Sequence, residues 1–333
     1  MSVLDTQPGL NTPTNSLVSL RGLKVNFGHG ASAVQVLHGL NLDVFPGEAL
    51  GMVGESGCGK SVTWLAALGL LGSAAQVQGE FYLDGQRFDG LSDRDLSSIR
   101  GRRIAMIFQD PASALNPVQK IGRQLTEAIA LHQGLQGSTA LAQAVRLLDQ
   151  VHIPNAKQRL QAYPHELSGG MNQRVMIAMA LAGEPELLIA DEPTTALDAT
   201  VQAQILELLS EIRRDQGMAM VLISHDLSVI AQQCERVVVM YAGRAVEVAK
   251  TEDLFNSAMH PYSQGLLASV PDVRSTQKRL IAIPGQVPEA GKLPKGCSFE
   301  PRCLHAQSHC ASTHPVLYPV AEGHQVACFL SSL

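Results

Sequence analysis

Residues Gly54 to Ser61 read GESGCGKS, directly after the apolar run EALGMV and directly before KSVTWLAALGLL. This is G-x4-G-K-S in a strand–loop–helix context. Such a loop demands an α/β architecture, because a buried strand must deliver it and a helix must start from it. The glycines let backbone N–H groups curl around phosphate oxygens, Lys60 adds a point charge, and Ser61 can ligate Mg²⁺. The bland alternative is a glycine-rich turn with no ligand.

The rest of the chain fits that demand. From Leu17 short β-rich runs alternate with longer helical ones: SLRGLKV, LHGLNLDV, EALGMVG, a helix from Lys60 to Leu71, and RIAMIFQ. GEFYLDGQRF reads as a hairpin turning at Asp84-Gly85. Residues 120 to 182 carry apolar side chains at helical spacing, a helical block inserted into the alternation. The alternation resumes with ELLIAD, a helix over 199–214, MAMVLIS, a helix over 226–233 and RVVVMYAG. After about residue 255 prolines become dense, which predicts a second, looser unit. Residues 1–16 read as a flexible lead without a secretory pattern.

More phosphate chemistry follows. ELLIADEP delivers Asp191 toward a metal, with Glu192 one residue on to orient or deprotonate a water. Gln109 ends a strand where its amide could touch both metal and water. His225 ends MAMVLIS, where it could contact a γ-phosphate; a lone His there is more often structural. ELSGGMNQR places Ser168, Gly169 and Gly170 just before a helix, a second anion site. One nucleotide needs only one P-loop. Two phosphate-binding turns are therefore best explained by a head-to-tail pair of such domains, each nucleotide held between them and hydrolysis coupled to closure.

These residues resemble the ATP-binding cassette family. GESGCGKS is similar to its Walker A, IFQDP to its Q-loop, LSGGMNQR to its signature, LLIADEP to Walker B, ALD to the D-loop and ISHD to the switch histidine. The longer stretches MIFQDPASALNPV, LLIADEPTTALDATVQAQILELL and HPYSQGLLASVP resemble the ATPase subunits of bacterial dipeptide/oligopeptide importers, the D-type in particular. That resemblance implies a P-loop (RecA-like) core over 17–255 with an N-terminal antiparallel β subdomain and a helical subdomain at about 112–182. It also implies a small cysteine-containing extension over 256–333.

It further implies site roles. ATP binding would fall to Phe27, stacking on adenine, and to Gly54, Glu55, Ser56, Gly57, Cys58, Gly59, Lys60, Ser61 and Val62. Ser61, Gln109 and Asp191 would serve magnesium, and Glu192, His225 and Gln109 catalysis. Ser168, Gly169, Gly170, Met171 and Gln173 would complete the partner's ATP site, with Asp198 in the D-loop. Cys58 stands where Ser is common, a position where a bulky adduct would block the phosphates. The implied partners are a second, homologous ATP-binding subunit, two transmembrane permease subunits and an extracytoplasmic binding protein. The implied location is the cytoplasmic face of the inner membrane, peripherally. Relatives handling nickel chelates, glutathione or opine-like compounds would look nearly identical.

Composition trims the alternatives. Net charge is −5, with no basic block to favour nucleic acid. A soluble, non-transport cassette ATPase is the reading of another class; the single Walker A and absence of a sustained heptad run weigh against it. No run reaches the ~18 apolar residues of a membrane span.

Four of the six cysteines, Cys297, Cys303, Cys310 and Cys328, lie in the last 37 residues with spacing C-x5-C-x6-C-x17-C. Zinc sites favour close C-x2-C pairs; wide spacing suits an iron–sulfur cluster better. Relatives with the same four cysteines resemble [4Fe–4S] carriers, while zinc and free thiols stay open. No tail residue matches a nucleotide motif, so such a cluster is expected away from the ATP. His305, His309, His314 and His324 read as surface residues.

Overall fold

The computed structural model describes residues 15–110, 114–195, 197–269 and 283–332. Nearly all of the N-terminal lead, Pro111 of the Q-loop, Ala196 of the D-loop and the Val270-Pro271 end of HPYSQGLLASVP lie outside them. The strands are β1 (Val18–Phe27), β2 (Val34–Val44), β3 (Ala49–Val53), β4 (Ala75–Leu83), β5 (Gln86–Arg87), β6 (Ile104–Ile107), β7 (Leu187–Asp191), β8 (Ala219–Ile223), β9 (Arg236–Tyr241), β10 (Arg244–Lys250), β11 (Tyr318–Ala321) and β12 (His324–Val326).

Two sheets result. An antiparallel sheet runs β2-β1-β4-β5, and a mixed eight-stranded sheet runs β11-β12-β10-β9-β3-β8-β7-β6. Within the larger one, β9, β3, β8, β7 and β6 are parallel neighbours. Their apolar runs follow from burial on both faces. In β3, Ala49 and Val53 belong to one core while Leu50 and Met52 belong to the other. β7 divides the same way, with Leu188 and Ala190 against Leu187 and Ile189, and so does β9, with Val237 and Val239 against Val238 and Met240. Successive side chains on a strand point to opposite faces, so each strand feeds both cores.

The helical block contains Ile121–Gln133, Gly137–Gln150, Ala156–Arg159 and Gly169–Leu181. Leu125, Ile129, Ala144, Leu148 and Ile177 bury its inner face in the first core. The helix after the phosphate loop spans Lys60–Ala67 and stops short of the expected Leu71. Gly69, at φ 62°, closes it: Leu70 N–H donates to the Leu65 carbonyl at 2.8 Å and Gly69 N–H to Ala66 at 3.0 Å. That crossed pair satisfies the last carbonyls and lets a glycine end the helix.

The proline-rich tail is not a loose appendage. β11 and β12 form a hairpin, and β12 pairs antiparallel with β10, Glu247 opposite Val326, so the tail completes the edge of the main sheet. Phe299 lies within the first core. Pro261 begins the helix Pro261–Ala268, a position where its missing N–H costs nothing. Glu247 is wholly buried yet satisfied, its carboxylate accepting from the N–H groups of Met259 and His260 and facing His324 Nε2 at 2.8 Å. His324, 4% exposed, is therefore a core residue and not the surface residue expected.

Candidate active site

Four parallel neighbours aim the candidate residues at one edge of the sheet. The phosphate loop leaves β3, His225 follows β8, Asp191 and Glu192 end β7, and Gln109 follows β6. The carboxyl ends of such strands are where open α/β sheets place their ligands.

The loop needs its glycines. Gly54 has φ 150°, and a Cβ there would stand 2.2 Å from the Met240 carbonyl. Gly59, at φ 102°, is the N-cap of Lys60–Ala67 and holds a backbone conformation that residues with a side chain rarely adopt. Glu55, Ser56, Gly57 and Cys58 make the turn between them, and Ser61 and Val62 lie in the first helical turn. Lys60 is buried, its ammonium donating to the carbonyls of Gly54 at 2.7 Å and Glu55 at 3.3 Å. Cys58 is 1% exposed, and burial pushes its thiol above the ordinary range. The P-loop thiol is thus shielded and protonated, not a ready target for an adduct.

Asp191 is 8% exposed. Burial raises its pKa, partly opposed by a hydrogen bond with Ser61 and the charge of Lys60. A desolvated carboxylate beside a hydroxyl is a hard-oxygen pair of the kind Mg²⁺ favours.

Glu192 is the meeting point. Its Oε2 accepts from Gln109 Nε2 at 3.1 Å and from Thr195 Oγ1 at 2.9 Å, and His225 Nδ1 lies 3.4 Å away. Its backbone stands at φ 47°, where a side chain is strained, and its N–H donates to the Ile223 carbonyl at 3.0 Å. Two residues predicted separately from sequence, Gln109 and His225, therefore converge on the carboxylate oxygen of a third, Glu192. Thr195 was missed, although DEPTT held a signal: a hydroxyl three residues after the acid, in the turn closed by Thr195 N–H to Glu192 O at 3.2 Å.

The second glycine turn also stands at a helix start. Ser168 is the N-cap of Gly169–Leu181, its hydroxyl accepting from Met171 N–H at 3.3 Å. A Cβ on Gly170 would meet Val201 at 2.7 Å, which packs this helix start against Ala199–Gln216. Gln173 is buried and Met171 packs on the first core. Asp198 caps Ala199–Gln216, accepting from Thr200 and Val201 N–H. Phe27 ends β1 half-buried beside the second core.

Cys297, Cys303, Cys310 and Cys328 line one small cavity, with His260, Phe299, His305 and Phe329 around them. None of the four is in a disulfide. Burial, then the neighbouring thiols, push Cys297 up to about 11. Among the described residues, no three His, Cys, Asp or Glu side chains gather closely enough to hold a metal ion. Among the described residues none from the phosphate loop lines the cavity, yet a neighbour of one of its cysteines reaches that loop. Arg302, next to Cys303, forms an ion pair with Glu55 at 2.6 Å. Tyr262 and Arg302 are the residues at this site that no sequence signal marked.

Comparison with known proteins agrees with this geometry. Residues 37–195 match the family described as ABC transporter, and residues 246–310 match the oligopeptide/dipeptide transporter C-terminal region. The oligopeptide transport ATP-binding protein OppD of Salmonella typhimurium (strain LT2) is 46% identical over 329 residues, covering 99% of this chain and 98% of that protein. A probable peptide ABC transporter ATP-binding protein of Sinorhizobium fredii, y4tR, is 49% identical over 325 residues, 97% of each. Among solved structures, the dimeric post-hydrolysis state of the ATP-binding cassette MJ0796 bound to ADP and Pi superposes with a TM-score of 0.63 at 28% identity, over 70% of this chain and 98% of that one. Full-length likeness at this identity, with the motif residues folded onto one sheet edge, places the chain in the family of ATP-binding subunits of oligopeptide ABC transporters.

Proposed function

We propose that the chain hydrolyses ATP to power import of di- or oligopeptides, as a nucleotide-binding subunit docked on the cytoplasmic face of a membrane transporter. The observation that carries this reading is the convergence of Gln109, Thr195 and His225 on Glu192, beside the Lys60–Ser61–Asp191 cradle, in a chain that matches peptide-transport relatives end to end. Among the described residues no helix is long and apolar enough to cross a membrane. In this reading partner permeases form the membrane path, and an extracytoplasmic binding protein delivers the peptide.

Residues 17–255 act as the nucleotide-binding unit, 112–182 as its helical subdomain and 256–333 as the extension. The loop from Gly54 to Val62 binds the phosphates and Phe27 the adenine. Ser61, Asp191 and Gln109 would hold Mg²⁺, which would supply neutralisation of the phosphate charge. Glu192 takes the proton of the attacking water. Gln109 and Thr195 fix the Glu192 carboxylate, and His225, whose Nδ1 lies 3.4 Å from it, contacts the γ-phosphate in this reading. Ser168, Gly169, Gly170, Met171 and Gln173 serve the nucleotide of a second, homologous subunit, with Asp198 at the shared border.

The four cysteines hold a [4Fe–4S] cluster in this reading. The support is that all four line one cavity and that their wide sequence spacing suits a cluster better than zinc, whose sites favour close pairs.

The reading is tested with the complex of this chain, its partner ATPase and the permeases in proteoliposomes. ATP hydrolysis should rise with peptide-loaded binding protein, and labelled tripeptide should accumulate inside. Stimulation by a nickel chelate but by no peptide would overturn the substrate class. Full hydrolysis by this chain without a second subunit would overturn the heterodimer.

A further inference from the structure

Glu55 opens the turn of the phosphate loop, and residues far away in sequence hold two of its three polar groups. Its N–H donates to the Tyr262 hydroxyl at 2.9 Å. Its carboxylate receives Arg302 through two bonds, Nη1 to Oε2 at 2.6 Å and Nη2 to Oε1 at 3.0 Å. Only its carbonyl is used inside the loop, by Cys58 N–H at 3.2 Å and the Lys60 ammonium at 3.3 Å. Both outside anchors come from the tail: Tyr262 from Pro261–Ala268, Arg302 from the turn between Cys297 and Cys303.

The anchors are themselves held. Arg302 Nε donates to the Pro284 carbonyl at 2.8 Å, and Nη1 reaches the Tyr241 hydroxyl at 3.4 Å. Its side chain is 4% exposed, and its guanidinium lies over the rings of Tyr241 and Phe299 at 5.8 and 6.0 Å. Tyr241, Tyr262 and Phe299 pack on one another with centroids 4.6 to 5.4 Å apart. Tyr241 ends β9, the strand beside β3, so this aromatic group ties tail, sheet and phosphate loop into one rigid support.

A forked, two-bond contact fixes direction as well as distance. A buried ion pair is a poor source of net stability, because desolvation offsets most of the attraction. What this pair supplies is orientation of the loop and cancellation of a negative charge at the mouth of a triphosphate site. We propose that Arg302 is a positioning residue for nucleotide binding, acting through Glu55. The inference goes beyond the proposed transport function: it concerns ATP affinity alone and requires neither the peptide substrate nor iron.

Its test is titration of the full chain with a fluorescent ATP analogue, alongside Arg302→Ala, Arg302→Lys, Glu55→Gln and the double substitution Glu55→Gln/Arg302→Ala. Arg302→Ala leaves the Glu55 carboxylate uncompensated, and affinity should fall on the order of tenfold. Arg302→Lys keeps the charge but not the fork and should fall between. In the double variant the stranded charge is gone while Tyr262 still holds the Glu55 N–H. Its affinity should fall no further than that of Arg302→Ala alone, the non-additivity expected of groups in one network. In the assembled transporter, Arg302→Ala should raise KM and leave kcat at saturation nearly unchanged, the mark of lost uniform binding. Affinity within twofold of wild type for Arg302→Ala would overturn the proposal. So would a double variant whose loss is the sum of the two single losses, because additive losses mark groups that act independently.

Discussion

Glu192→Gln separates shape from basicity at the proposed catalytic centre. In the wild-type chain Oε2 accepts from Gln109 and Thr195 at 3.1 and 2.9 Å. A glutamine oxygen can occupy the same place and keep both bonds, so the turn and the Gln109 amide should stay put. The variant loses only the ability to take a proton from water. General-base contributions run to ~10²–10⁴ in rate, which corresponds to ~3–5 kcal/mol of barrier. Removing a negative charge near the γ-phosphate side should at the same time leave ATP affinity equal or tighter. The expected pattern is therefore a melting temperature and nucleotide affinity like wild type with phosphate release slowed at least a hundredfold. The measurement is single-turnover phosphate release in the assembled complex, paired with nucleotide titration. Glu192→Ala is the control: it strands Gln109 and Thr195 as well and should also perturb binding. Hydrolysis by Glu192→Gln within tenfold of wild type would refute the assignment, because nothing else about the site changes enough to compensate.

Two further outcomes follow from the tail. Protein purified without oxygen should be brown, with about four iron and four sulfide per chain. Cys303→Ser should bleach it while the cassette still binds ATP; stoichiometric zinc without iron would refute the cluster. His260 is buried, its Nδ1 accepting Tyr262 N–H at 3.0 Å, and burial lowers its pKa to about 3. The unfolded chain takes up that proton below about 6.5 and the folded chain does not. Its contribution is therefore complete above pH 6.5 and lost as pH falls, by ~1.4 kcal/mol per unit. His260→Asn should show a shallower fall in urea midpoint between pH 7 and 5; identical slopes would refute this, since the depressed His38, His132 and His314 are common to both proteins.

The parallel core and its catalytic edge were legible because their signals are local. A strand buried on both faces must be apolar along its length, and β3, β8 and β7 up to its final Asp191 carry no charged side chain. A loop that wraps phosphate must be glycine-rich, and Gly54 and Gly59 hold conformations closed to other residues. Asp191, Glu192, Gln109 and His225 each end a recognisable strand. Thr195 was harder, since its role rests on a turn that brings its hydroxyl back to Glu192.

The tail failed to announce itself for the opposite reason. Prolines were read as looseness, but Pro261 starts a helix and Pro301 sits in the short turn Glu300–Arg302. His324 sits among polar residues and looks solvent-facing; a buried Glu247 on another strand overrides that. The bonds joining Glu55 to Tyr262 and Arg302 span 207 and 247 positions, and no local pattern of residues encodes a partner so distant. Motif boundaries therefore misstate what the nucleotide site is. The Walker A stretch supplies the N–H groups, but the first residue of its turn is held from the cysteine-bearing segment. An alteration that disorders that segment should reach ATP through Arg302 without changing a single motif residue.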